Sequence, residues 1–255
     1  MRRTDRRLSP LSPVATLILI ATPLAAQAPG KWPPDSLINT KVIPHNTPVT
    51  QVVGTMRNFT NALGVRCHTC HEGEEGTPLE KTDFASDKKR MKLVARQMMR
   101  MVEEINHRLD TIPERPDSAV QVTCRTCHRG VSRPEPLYQV MTEAASAAGA
   151  DSSIRAYQAL RQKYYGRDAY DFGEQSLNIA AFRVGQAGKF EDAFALLRLN
   201  AGFFPGSSGM AVFEGNIYLM KGDTNSAANS FREAIQRDTA NGEAKRRLED
   251  IGVKP

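Results

Sequence analysis

All four cysteines of the chain fall in two copies of one short pattern, Cys67-His68-Thr69-Cys70-His71 and Cys124-Arg125-Thr126-Cys127-His128. Both read C-x-x-C-H. Thiols at this spacing sit one helical turn apart on one edge, where each can form a thioether to a vinyl group of haem. The histidine directly after the second cysteine then presents its imidazole to the iron from the same side. Cys70 and Cys124 stand much further apart than the cysteine pairs of an ordinary zinc ribbon, and a redox dithiol needs no adjacent histidine. The residues therefore predict two covalently bound c-type haems. Cys67, Cys70, Cys124 and Cys127 would attach them, with His71 and His128 as the proximal iron ligands.

Something must place those motifs and supply the opposite face of each iron. A helix is expected from Thr47-Pro48, where proline suits the first turn, to Gly64, its natural stop. Val49, Val52, Val53, Met56, Phe59 and Leu63 recur along it at helical spacing and make one apolar stripe. Its position just before the first motif predicts that it folds back across the haem face opposite His71. Met56 lies mid-stripe. A low-spin electron carrier needs a second axial ligand, and this helix holds no other methionine or histidine, so Met56 is the expected one; a packing role is its other reading. An acidic loop over 72–86 carries Glu72, Glu74, Glu75 and Glu80 and reads as a solvated connection. A second helix is expected from Ser86-Asp87, both good caps, to about Leu109. Periodicity puts Met98 and Met101 together on its apolar face and Met99 beside it, without choosing between the first two. His45 and His107, the histidines outside the motifs, read as surface residues.

The wording around the motifs adds a resemblance. Met56-Arg57-Asn58-Phe59-Thr60, the first C-x-x-C-H, Phe84-Ala85-Ser86-Asp87, Ala95-Arg96-Gln97-Met98, Ile105-Asn106 and Val122-Thr123 leading into the second C-x-x-C-H with Arg129-Gly130 occur in this order. Over roughly residues 38–135 the chain resembles the photosynthetic reaction-centre cytochrome c subunit family. In that family each methionine-ligated haem takes its methionine from the helix preceding its motif. The resemblance therefore implies Met98 as the second distal ligand. Photosynthetic members of the family carry four haems, and with motifs for two this chain resembles half of such a subunit.

The ends of the chain are of other kinds. Residues 1–28 read as a secretory signal: Arg2, Arg3, Arg6 and Arg7 precede a 13-residue apolar run, Val14 to Ala26, and small residues follow. That run is shorter than the ~20 residues of a membrane span. The signal also holds half of the net charge of +6, leaving the remainder near neutral and without the basic footprint of a nucleic-acid binder. Residues 29–47 are proline-rich and expected to run extended. The cytochrome domain is placed at 48–138, followed by a small-residue linker, Ala144 to Ala150. Over 151–255 a self-match appears at an offset of 34, pairing Gly188 with Gly222, Ala193 with Ala227 and Leu197 with Phe231. That period resembles tetratricopeptide repeats, which bind protein partners.

Together these features predict an all-α protein with few or no strands, a dihaem c-type cytochrome domain followed by a tetratricopeptide-like helical repeat domain. The expected function is periplasmic electron transfer, one electron at a time, to or from a membrane-associated redox complex, of which a photosynthetic reaction centre is one. The periplasmic side of the inner membrane is the expected location, and the repeats are expected to hold a protein partner. The alternative is an enzyme, a dihaem peroxidase with one open iron position; the methionine offered by each helix speaks against it.

Overall fold

The computed structural model describes residues 31–254 apart from residue 117, so the expected signal over 1–28 lies outside the described residues. Among these, every regular element is helical, in the order α1 (Val49–Leu63), α2 (Arg90–Asp110), α3 (Cys124–His128), α4 (Leu137–Tyr164), α5 (Glu174–Gln186), α6 (Phe190–Phe203), α7 (Ser208–Lys221), α8 (Thr224–Arg237) and α9 (Gly242–Asp250). Short 3-10 turns occupy Cys67–Thr69 and Leu79–Lys81. One isolated antiparallel bridge, Glu72 with Asp83, closes the loop after the first motif. The all-α expectation holds.

Local signals set α1. Pro48 precedes it in an extended conformation, and its carbonyl accepts from the amides of Gln51 and Val52. Gly64 ends it in the left-handed region at φ 66°, where the Val65 amide turns back to the Thr60 carbonyl. The next helix differs from expectation. Ser86 and Asp87 do not cap α2, which begins only at Arg90. The Asp87 carboxylate is engaged instead by Arg96 at 2.9 Å and Lys92 at 3.2 Å, from further along the helix.

Most apolar burial lies beyond residue 136. The small-residue stretch 144–150, expected as a linker, is folded into α4, which kinks at Ala148 and Gly149 rather than ending there. Leu137, Met141 and Ala145, ahead of the kink, are as completely buried as Tyr157 after it. The Ser153 hydroxyl donates to the Met141 carbonyl across the bend, and the Ala150 amide donates to Asp192 of α6. Leu177 and Val184 of α5 and Leu196 of α6 complete this core.

The helices that follow repeat in pairs. α5 and α7 begin at residues 174 and 208, and α6 and α8 at 190 and 224, so both pairs keep the offset of 34. Ala193 and Ala227 are fully buried at matching positions, as is Phe231, while Leu197, its counterpart, is 4% exposed. A Cβ on Gly215 would lie 2.5 Å from the Phe231 ring, so only glycine admits that ring between α7 and α8. α9 closes the array, its first turn capped by Asn241 accepting from the Ala244 amide at 2.9 Å.

Candidate haem sites

The first motif is clasped by the start of α2. The Lys89 ammonium donates to the carbonyls of His68 and Gly73. Lys92, nine-tenths buried, donates to the carbonyls of Phe84, Ala85 and Ser86 at 2.8, 3.0 and 2.8 Å. The Phe84 ring packs against the His71 imidazole at 4.9 Å between centroids, and Trp32 stacks on Phe84 at 4.6 Å. Burial first, and then the Lys92 cation, push the His71 imidazole down to about 4, so its ring is neutral at pH 7. Its Nδ1 is buried and meets no hydrogen-bond partner among the described residues. His68, the motif's other histidine, is spent on structure: its Nε2 lies 2.8 Å from the Thr82 hydroxyl.

The second motif forms α3 itself. The Thr123 amide donates to the Thr126 hydroxyl at 2.9 Å, which secures the helix start. His128 Nδ1 lies 3.0 Å from the Val131 carbonyl. A carbonyl only accepts, so the proton is on Nδ1 and the Nε2 lone pair is left for a metal. The far end of α2 reaches this site. Asn106 donates to the Val122 carbonyl at 2.8 Å and accepts from the Val122 amide at 2.7 Å, fixing the residues that lead into Cys124.

The two motifs also meet directly. α1 packs on α3, and the Gly130 amide donates to the Ala62 carbonyl at 2.7 Å. A Cβ on Gly64 would fall 2.1 Å from the Gly130 carbonyl oxygen, so this approach requires glycine. Arg125, inside the second motif, reaches Asp168 beyond α4 at 3.5 Å.

The chemistry of these residues fits haem. All four cysteines are free thiols. Burial raises the Cys70 and Cys124 thiols above their ordinary range, the reverse of what a redox dithiol needs. Between residues 31 and 136 only Ala62 and Val131 are buried apolar side chains among the described residues. A segment of this length with so little core of its own suits a module built around a large apolar prosthetic group.

The methionines fall less simply. Met56 is half-buried on α1. Met98 and Met101, expected on a buried face, are 37% and 46% exposed. α2 is anchored by polar clasps at its two ends rather than by another helix along its length, which leaves Met98 and Met101 of its apolar stripe exposed while Val94, Val102 and Ile105 are half-buried. Met91 and Leu93 share this exposure. His45 and His107 are exposed, as expected. The roles of Lys89 and Lys92 had no signal in the sequence. Those of Arg96 and Asn106 were visible only as family wording, without their purpose.

Fold and motifs together define a helical c-type cytochrome, an electron-transfer protein with covalently bound haem. Residues 77–172 match the family described as photosynthetic reaction centre cytochrome C subunit. The match takes in α2, the second motif and all of α4, and starts after the first motif. A comparison with curated proteins found no match.

Proposed function

We propose that the protein is a dihaem electron carrier of the periplasm, exchanging single electrons with a membrane-associated redox complex. The observation that carries this reading is the pair of C-x-x-C-H motifs clasped to opposite ends of one helix, in a segment with almost no apolar core of its own. Covalently bound haem would supply the one-electron chemistry. The chain does the rest. Cys67, Cys70, Cys124 and Cys127 would attach the haem, His71 and His128 would offer its iron imidazole nitrogens, and Met56 and Met98 would offer thioethers as the second ligands. Methionine opposite histidine favours the ferrous state relative to two imidazoles, so both sites should have fairly high potentials.

The family match supports a reaction centre or a related complex as the partner. The helical pairs, read as tetratricopeptide-like repeats, would hold a partner protein while the cytochrome segment exchanges electrons. No helix among the described residues is long and apolar enough to cross a membrane.

Intact mass of the exported protein tests the count and should show two haems added. Met56→Ala and Met98→Ala should each abolish one thioether-to-iron band and open one site to carbon monoxide. A mass with one haem ends the dihaem reading. Loss of a band in Met101→Ala but not in Met98→Ala moves the second ligand to Met101.

A further inference from the structure

The start of α2 buries a lysine where apolar packing would be the ordinary choice. Lys92 has three N–H groups and four acceptors in reach: three successive backbone carbonyls and Asp87 Oδ1 at 3.2 Å. A neutral side chain has too few donors to serve so many acceptors. The other Asp87 oxygen accepts from Arg96 at 2.9 Å. Two cations thus share one carboxylate, and the group carries a surplus positive charge. Lys92 is nine-tenths buried, whereas the Asp87 side chain is 38% exposed, so solvent screens the carboxylate more than the ammonium. One of the carbonyls that Lys92 holds belongs to Phe84, whose ring lies against His71. The charge is therefore fixed beside the first motif. At the second, Asn106, a neutral residue, makes the clasp, and Arg115 and Arg125 are each paired with a carboxylate, Asp110 and Asp168.

We propose that Lys92 is a positioning residue whose buried charge raises the reduction potential at the first haem site relative to the second, with Asp87 opposing it. The inference rests on the dihaem reading above. Reduction adds one electron to ferric iron, drawn from a one-electron donor, and lowers the positive charge of the site by one. A fixed cation nearby favours the less positive state; a fixed anion disfavours it. The two sites would then differ in potential although both pair histidine with methionine, and an electron would settle preferentially at the first.

A role in holding the loop alone makes a different prediction. Loosening residues 82–87 by any substitution would open the site to water and shift the potential one way. Charge makes Lys92 and Asp87 act with opposite signs. The experiment is a mediated optical redox titration of the full-length holoprotein, resolving both sites. Lys92→Met should lower one midpoint by about 59 mV, a roughly tenfold change in the one-electron equilibrium. Asp87→Asn should raise that same midpoint, Lys92→Arg should keep it near wild type, and the other midpoint should stay in place throughout. Equal-signed shifts in Lys92→Met and Asp87→Asn, or no shift in either, overturn the proposal. Where Lys92→Met fails to accumulate as holoprotein, Asp87→Asn decides alone: a rise supports the charge and a fall or no change refutes it. A wild-type protein lacking haem at Cys67 and Cys70 removes the functional reading as well, whereas two haems with unmoved midpoints remove only this inference.

Discussion

Replacing Gly64 by alanine tests the joint between the two motifs. Two costs arise. The residue sits at φ 66°, ψ 30°, where a Cβ costs about 1 kcal/mol. The new methyl would also lie 2.1 Å from a backbone oxygen, which cannot swing aside as a side chain can. α1 and α3 must separate, and the Gly130–Ala62 hydrogen bond at 2.7 Å breaks. Leaving that amide short of a partner costs about 1–3 kcal/mol, for a total of roughly 2–4 kcal/mol. Gly130→Ala is the control. Its φ of 95° is as unfavourable, but its Cβ would meet nothing within 4 Å, so backbone strain of about 1 kcal/mol is its whole cost. Guanidinium unfolding of both holoproteins, followed through haem absorbance and circular dichroism, gives the comparison. If Gly64→Ala is no more destabilising than Gly130→Ala, the helices do not approach as closely as described.

Three further outcomes are expected. Asn106→Ala should cost about 2–3 kcal/mol, because it strips both backbone groups of Val122 of their partner, and it should disturb the second haem's spectrum before the first. A chain ending at Pro136 should stay monodisperse with its haems attached, whereas one ending at Ala148 should aggregate on size exclusion, since Leu137, Met141 and Ala145 lose the α5 and α6 surfaces that bury them. Burial first, then Glu233, raise the Glu214 carboxyl above its ordinary range, so the native state favours its protonated form. The stability this contributes is present at acid pH, below the unfolded value of ~4.3, and is lost as pH rises through the folded value. Glu214→Gln should therefore raise the melting temperature at pH 7 and converge on wild type near pH 4.

The sequence was most legible where one residue determines its own surroundings. Pro48 and Gly64 bounded α1 because proline and glycine act on their own backbone. Gly188, Ala193 and Leu197 matched their partners at the offset of 34 because each repeat solves the same packing problem between paired helices. It was least legible where a side chain had distant alternatives. Asp87 looks like a cap, yet Arg96 and Lys92 compete for its carboxylate and win, so α2 starts at Arg90. Ala144 to Ala150 look like a linker, yet small residues equally allow a tight bend between packed half-helices. The apolar period of α2 was real, but periodicity states which residues share a face and not what covers it. Asn106 could be read as family wording; that it holds both backbone groups of Val122 depends on a fold that brings residue 122 back to it.

The contacts about α2 amount to a truss with three joints. Lys89 and Lys92 pin one end of a rigid bar to the first motif, Asn106 pins the other to the approach of the second, and the Gly64–Gly130 seat closes the third corner. The bar between the first two pins, Lys89 to Asn106, spans about 25 Å at the rise of an α-helix. A figure with three stiff sides cannot change its angles without changing a length, whereas a four-sided one can shear freely. In the relay proposed above, the distance an electron must cross would thus be fixed by struts of polypeptide, and lengthening α2 by a single turn would reset that distance.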